Sequence, residues 1–118
     1  MKILVCGSRT FTDADAIERE LRAYTQYEPN ATVIEGAARG ADIIAGNVAH
    51  RMGFIIEEYP ADWNKYGKRA GFIRNTEMLA KGRPDIVIAF WDGQSRGTAM
   101  MIEIAKKAGV PVKVITNA

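Results

Sequence analysis

The feature that most constrains this chain is an apolar run that ends in a polar, glycine-containing turn. Residues 86–90 (IVIAF) are apolar without interruption, which is typical of a strand buried on both faces in the middle of a parallel sheet. Residues 92–98 (DGQSRGT) follow with two hydroxyls, an arginine and the start of a helix. Backbone N–H groups at such a turn are a common anion site. The sequence therefore predicts a phosphate-binding turn at the carboxyl edge of a sheet.

The rest of the chain alternates between strand and helix patterns. Strands are predicted at residues 2–6, 32–35, 54–59, 86–90 and 112–115, and helices at about 13–25, 41–52, 70–80 and 97–108. Strict alternation predicts parallel strands with right-handed crossovers, and the charged third and fifth strands suit the sheet edges. We therefore predict an α/β, Rossmann-like doubly wound fold, with a five-stranded parallel sheet in the order 3-2-1-4-5 and helices on both faces.

Two local patterns complete this prediction. Thr12 and Asp15 have the spacing of a capping box, which predicts that they begin the first helix. Residues 60–69 lose the apolar periodicity and are interpreted as a long loop that folds over the sheet edge, carrying Trp63 and Tyr66.

Length and composition limit the class of protein. A chain of 118 residues with 47% hydrophobic and 25% charged residues fits one globular domain, residues 1–118. No apolar run is long enough for a membrane span and no signal peptide precedes the first strand, so we expect a cytoplasmic protein without a membrane partner. The net charge of +2 does not favour duplex nucleic acid. Cys6 and His50 are single residues of their types, and no metal site is predicted.

The predicted strand order places a ligand site between strands 1 and 4, where the order reverses. The turn at residues 7–9 (GSR) would face residues 92–98 there, with the turn at 36–42 (GAARGAD) beside them. Neither G-x-G-x-x-G nor a P-loop motif occurs, which disfavours NAD dehydrogenases and P-loop NTPases. Four cations between residues 65 and 74 could meet phosphates, or form an ordinary solvated face.

The candidate ligand-binding residues share a position at these turns or in the segment that follows the third strand. Hydroxyls and backbone amides would hold phosphate, arginines would neutralise it, and Asp42 would order its turn rather than perform acid–base chemistry. They are Gly7, Ser8, Arg9, Gly36, Arg39, Gly40, Asp42, Trp63, Arg69, Arg74, Asn75, Ser95, Gly97 and Thr98.

These motifs together resemble a known protein group. G-S-R at 7–9, G-A-A-R-G-A-D at 36–42, Trp63, the segment 67–75 (GKRAGFIRN) with Met78, and G-T at 97–98 are similar to the SLOG superfamily, in particular its small YpsA-related branch of bacteria and phages. The resemblance implies a Rossmann-like fold that binds nucleotides or their derivatives, often as a homodimer. Relatives include ligand sensors, DprA-like single-stranded DNA binders and LOG-type enzymes that release a base from a nucleoside monophosphate.

The enzymatic relatives carry a P-G-G-x-G-T-x-x-E turn and an arginine from the preceding helix, and Arg74 matches that arginine. Met101 stands in the place of the glutamate, three residues after Thr98. Methionine cannot activate water or stabilise an oxocarbenium charge. Glu103 lies two positions further on and points elsewhere on the helix. Whether the protein is an enzyme stays open; Arg74 is the catalytic candidate if it is.

The sequence favours a protein that binds a nucleotide or nucleotide-derived phosphate ligand as a sensor or sequestering protein, with no cofactor required. One alternative is a LOG-like hydrolase of an N-glycosidic or phosphate bond. Another, ranked last, is DprA-like binding of single-stranded nucleic acid through residues 65–74.

A homodimer is also predicted. The last helix needs one apolar stripe against the sheet, for which we assign Gly97, Met101, Ile104, Ala105 and Ala108. Ala99, Met100 and Ile102 add apolar surface outside that stripe, and helix 70–80 likewise has more than one apolar face. We expect the two helices to form a dimer interface. The alternative is a monomer in which the 60–69 loop covers these residues.

Overall fold

The structure is a computed structural model that describes residues 1–26 and 30–116. Its sheet has five parallel strands: β1 (Lys2–Gly7), β2 (Thr32–Glu35), β3 (Ile55–Glu58), β4 (Ile86–Trp91) and β5 (Val112–Thr116). The helices are α1 (Ala14–Thr25), α2 (Ala41–Arg51), α3 (Trp63–Tyr66), α4 (Ala70–Gly82) and α5 (Arg96–Lys107). The strand order is β3-β2-β1-β4-β5. The predicted fold class and strand order are therefore confirmed.

The two most apolar strands lie in the centre of the sheet, as their composition predicts. β1 pairs with β4 so that Cys6 faces Ala89 and Gly7 faces Phe90. Residues 87–90 are completely buried. The strands with charged residues, β3 and β5, form the edges.

Alternating side chains of the strands pack into two separate hydrophobic cores, one on each face of the sheet. One face of the sheet, covered by α1 and α2, presents Ile3, Val5, Val33, Ile88 and Phe90. The other face, packed with Met78 of α4 and with α5, presents Leu4, Cys6, Ile34, Val87 and Ala89. Because each face has its own helices, the site at the sheet edge is held from both sides.

The predicted start of α1 is displaced by one residue. Asp13, not Thr12, is the N-cap: its carboxylate Oδ1 accepts a hydrogen bond from the Ala16 N–H at 3.0 Å. An aspartate is as effective a cap as threonine, so the local spacing alone does not decide between two neighbouring candidates.

The prediction of a long loop at residues 60–69 is wrong. Residues 63–66 form α3, and a 3₁₀ turn (Gly67–Arg69) leads directly into α4. The Asp62 carboxylate accepts a hydrogen bond from the Lys65 N–H at 3.1 Å and caps α3. A single helical turn stabilised by its cap has no apolar periodicity, which explains why the pattern missed it.

The predicted apolar stripe of α5 is also partly wrong. The buried stripe is Thr98, Met101, Ile102 and Ala105, at helical spacing i, i+3, i+4 and i+7. Ile102 belongs to the core and is only 9% exposed, whereas Ala108 is exposed. The helix is therefore rotated relative to the predicted stripe, because Thr98 rather than Gly97 faces inward.

Candidate functional site

A cleft of about 360 Å³ opens at the carboxyl ends of β1 and β4, where the strand order reverses. We call it the main cleft. This is the position at which open α/β sheets bind ligands. Its lining brings together most of the residues predicted from the sequence: Gly7, Ser8, Arg9, Asp42, Trp63, Arg74, Asn75, Ser95, Gly97 and Thr98.

The remaining predicted residues lie around the main cleft or away from it. Gly36 and Arg39 line an adjoining cavity of about 320 Å³, which we call the side cavity. Gly40 and Arg69 line neither. Whether any of these residues contacts a ligand stays a prediction.

One wall of the main cleft consists of hydroxyl groups beside the start of α5. The Ser8 Oγ accepts a hydrogen bond from the Asp92 N–H at 3.0 Å, and the Ser95 and Thr98 hydroxyl oxygens are 3.2 Å apart. Ser8 and Thr98 are 1% and 4% exposed. Among the described residues no side chain caps α5, so its first N–H groups remain available to an anion.

Asp92 shapes the turn that precedes α5. Its Oδ1 accepts hydrogen bonds from the N–H groups of Gln94 and Ser95, each at 2.8 Å. These bonds favour the ionised form and hold the pKa of Asp92 below its usual range. Asp92 thus uses the amides that precede α5, while those of its first turn have no side-chain partner within residues 1–26 and 30–116.

Arg74 and Asn75 connect the two walls of the site. The Arg74 Nη1 donates to the Gly36 carbonyl oxygen, and its Nε donates to the Asn75 Oδ1 at 2.9 Å. Asn75 then donates to the Gly97 carbonyl oxygen at 3.1 Å. This chain of bonds ties the end of β2 to the first turn of α5. Of the Arg74 guanidinium, only Nη2 has no hydrogen bond within the described part of the chain.

Asp42 is a buried carboxyl group in the wall of the main cleft. It is 5% exposed, and its Oδ2 accepts a hydrogen bond from the Ala38 N–H at 3.3 Å. Burial raises the pKa of Asp42 to about 6, although Arg74 and the backbone hydrogen bonds oppose the shift. Its bond to Ala38 fits the predicted role of ordering the 36–42 turn.

Glu35 lies behind Asp42 and was not predicted as part of the site. It is completely buried at the end of β2; its Oε2 accepts from the Ala37 N–H at 3.3 Å, and its Oε1 has no partner among residues 1–26 and 30–116. Burial, then the charges of Asp42 and Glu58, raise the pKa of Glu35 to about 8. The raised pKa favours the protonated form of Glu35 at neutral pH.

Two glycines allow the turn at 36–42 to pack against its neighbours. A Cβ on Gly36 would lie 2.8 Å from the Arg74 Cζ and 2.9 Å from the Asp42 Oδ2. Gly40 has φ +79°, and a Cβ there would lie 2.6 Å from the Arg9 carbonyl oxygen. Gly40 therefore supports the 7–9 turn from behind rather than lining the main cleft.

The mouth of the main cleft is aromatic and basic. Trp63 and Phe72 line it and are 50% and 45% exposed, and Lys68 lies beside them. Sequence reasoning named Trp63 but missed Phe72 as a lining residue, and it selected Arg69 where the structure brings Lys68. The rotation of α3 and α4 about their axes decides which residues of 63–72 face the cleft. Because this segment was interpreted as a loop, the sequence could not predict that rotation.

Met101 points away from the main cleft. Its side chain is completely buried with Leu4, Val87 and other residues of the α4/α5 core. The position that carries the glutamate in LOG-type enzymes is therefore part of the core in this chain. No group of three or more potential metal ligands occurs in the described residues, and none of their helices is long and apolar enough to cross a membrane.

Comparison with known proteins agrees with this architecture. The model of the YAcAr family, described as the YspA, cpYpsA-related SLOG family, matches residues 1–66. This chain belongs to that SLOG family. Gene 61 protein of Mycobacterium phage D29 is similar to this SLOG protein, with 39% identity over 117 residues, 94% of this chain and 93% of the phage protein. The resemblance inferred from the motifs is thus confirmed.

A solved structure supports the fold of this SLOG protein. DNA processing protein A (DprA) from Streptococcus pneumoniae is similar with a TM-score of 0.69 and 19% identity, over 99% of this chain and 50% of DprA. The chain therefore spans about half the length of that protein, and the likeness is one of fold.

Proposed function

We propose that this SLOG protein binds a nucleotide or nucleotide-derived phosphate ligand in the main cleft, as a sensor or sequestering protein. The observation that carries the proposal is the start of α5, which no described side chain caps, beside the buried hydroxyls of Ser8 and Thr98. Helix N-termini at the switch point of a parallel sheet favour phosphate groups.

The rest of the main cleft suits the other parts of a nucleotide. Arg9 and Lys68 provide positive charge in the same cleft as the start of α5. Trp63 offers a half-exposed ring on which a base can stack. Membership of the SLOG family favours the same ligand class.

The test is a thermal-shift panel of nucleoside mono-, di- and cyclic phosphates. A ligand at 100 times its Kd adds about 2.7 kcal/mol to the free energy of unfolding, a rise of several degrees in Tm. Thr98→Val should reduce that rise, because it removes a hydroxyl of the cleft. Thr76→Val is the matched control, since Thr76 is exposed on α4. If no compound raises the Tm at millimolar concentration, the proposal is wrong.

A hydrolase is the second candidate, and Asp42 is the observation in its favour. A carboxyl group with a pKa of about 6 in a cleft can act as a general acid or base. The core position of Met101 argues against LOG-type chemistry. Incubation with AMP or NAD followed by chromatography should release no base. Turnover that Arg74→Ala or Asp42→Asn abolishes would instead establish the hydrolase.

Single-stranded nucleic acid is a third candidate because of the exposed surface at the mouth of the main cleft. Trp63, Phe72 and Lys68 line the main cleft and are exposed. Tyr66 and Lys65 are exposed on the neighbouring α3, and such a combination can stack bases and attract phosphates. Binding of a fluorescent oligonucleotide at several salt concentrations tests it. A steep loss of affinity with salt would favour this candidate, and no binding at low salt would remove it.

A further inference from the structure

The side cavity adjoins the main cleft and has four lining residues in common with it. We propose that the ligand carries two separate phosphate groups and that the second binds in the side cavity, next to Arg9, Arg39 and Arg74. This inference rests on the proposed function, because the main cleft must first hold the nucleotide itself.

The two cavities are neighbours that share part of their lining. Arg9, Ala38, Trp63 and Arg74 line both of them. The start of α5 belongs to the main cleft alone, and Arg39 belongs to the side cavity alone. A nucleotide whose base or sugar lies against Trp63 can therefore direct one phosphate to α5 and another to Arg39.

Among the residues that the structure describes, the side cavity is lined by three arginines and no acidic residue. Neither Arg9 nor Arg39 forms an ion pair or a side-chain hydrogen bond with any residue that the structure describes. Both are exposed, and Arg74 keeps its Nη2 without a hydrogen bond. Guanidinium groups bind phosphate oxygens in pairs, so unpaired arginines that share a cavity favour an anionic occupant.

Three acidic residues lie near the side cavity and reduce its positive potential without reversing it. Asp42 is bound to the Ala38 N–H and interacts with the charge of Arg74. Glu35 is buried, and burial raises its pKa to about 8, so it is mostly neutral at pH 7. Glu58 is exposed at the end of β3. Two negative charges thus oppose three positive ones.

Two backbone N–H groups of the side cavity are already in use, which gives the arginines more weight. The N–H groups of Ala37 and Ala38 donate to the carboxylates of Glu35 and Asp42. These two N–H groups are therefore not available to a phosphate, whereas the arginine side chains are. Arg39 is the one arginine that lines only this cavity, so its removal should affect the second phosphate selectively.

The experiment compares three ligands by isothermal titration calorimetry: a nucleoside 5′-monophosphate, its 3′,5′-bisphosphate, and the matching 5′-phosphorylated dinucleotide. The base is the one whose monophosphate gives the largest thermal shift. We expect at least one ligand with two phosphates to bind about tenfold or more tightly than the monophosphate, as one charge-assisted contact provides. Arg39→Ala should bring this ratio close to one. Arg19→Ala is the control, since Arg19 is exposed on α1 and lines neither cavity.

Each outcome has a defined meaning. Tighter binding of the bisphosphate identifies a small nucleotide as the ligand class, and tighter binding of the dinucleotide identifies a nucleic acid end; both support the second phosphate site. Equal affinities for all three ligands, or a ratio that Arg39→Ala leaves unchanged, overturn it while the proposed nucleotide site stands. If the monophosphate panel shows no binding at all, the proposed function is wrong and this inference falls with it.

Discussion

At the scale of single residues, the carboxyl group of Glu35 is the least expected feature of the site. Sequence patterns treat an acid at the end of a short strand as exposed, yet β2 lies between β1 and β3 and Glu35 is completely buried. α2 covers this carboxyl group: a Cβ on Gly46 would lie 3.6 Å from the Glu35 Oε2, at ordinary contact distance. Only the folded structure therefore shows that burial destabilises the ionised form of this carboxyl group.

Glu35 should make the protein less stable as the pH rises. Its pKa is about 8 in the folded state against an ordinary value of 4.5, so the folded state binds more protons than the unfolded state between these values. The free energy of unfolding then decreases from below pH 4.5 up to about pH 8. Glu35→Gln removes this loss and should stabilise the protein at pH 8 by on the order of 2 kcal/mol. Urea unfolding at pH 6 and pH 8.5 measures the difference.

Glu103→Gln provides the control for this effect. Glu103 is exposed and pairs with Lys107 on α5, so its variant should follow the pH profile of the natural protein. Between pH 6 and pH 8.5 the titration of Asp42 contributes little, because its pKa is about 6. Parallel profiles for the natural protein and Glu35→Gln would show that Glu35 is ionised throughout and would contradict the prediction.

At the scale of helices and strands, the sequence predicts the order of the strands more accurately than it predicts which sides of the helices face inward. Uninterrupted apolar runs identify β1 and β4 as central, because only a strand covered on both faces needs such a composition. Strand order then follows from the charged edge strands, and it brings the turns at 7–9 and 92–98 together. This is why the main cleft could be predicted from the sequence.

The parts that could not be predicted depend on helix phase and on local caps. α3 exists because Asp62 caps a single turn, which leaves no periodic signal. The inward side of α5 is set by Thr98 and Ile102, and several apolar residues around this helix allow more than one phase. Lys68 and Phe72 enter the main cleft for the same reason: small rotations of a helix decide which side chains face a site.

A substitution at Gly97, near the start of α5, should have opposite effects on the stability of the protein and on ligand affinity. A Cβ on Gly97 would meet no atom within 4 Å, and alanine is the better helix former by about 1 kcal/mol. Gly97→Ala should therefore raise the Tm of the free protein. It should also lower the affinity for the nucleotide, because the added methyl group enters the main cleft beside the first N–H groups of α5. Thermal unfolding without and with ligand measures both effects.

Gly36→Ala is the contrasting variant. Its Cβ would lie 2.8 Å from the Arg74 Cζ, so the free protein should lose about 1–3 kcal/mol of stability as Arg74 moves. A Gly97→Ala protein that binds the ligand as well as the natural protein would mean that the phosphate does not approach α5.

At the scale of the whole molecule, apolar side chains stay exposed on helices of both faces of the sheet. Phe72 of α4 is 45% exposed and Ala99 and Met100 of α5 are half-buried, while Ile43 of α2 is 42% exposed. The burial of Ile102 removes one argument for the predicted dimer, because this side chain belongs to the core. The exposed apolar surface of α4 is the remaining argument for the predicted dimer.

We propose that a second copy of the chain covers this surface, because a symmetric contact between two copies buries the same apolar patch twice. Light scattering of the ligand-free protein at tens of micromolar should then give a mass near twice 13.0 kDa. Phe72→Glu should shift the mass toward the monomer, since it places a charge in the contact without disturbing the core. Trp63→Glu is the matched control: its ring is equally exposed but belongs to α3, so this variant should remain dimeric. A mass of 13.0 kDa for the natural protein would mean that Phe72 serves the main cleft alone.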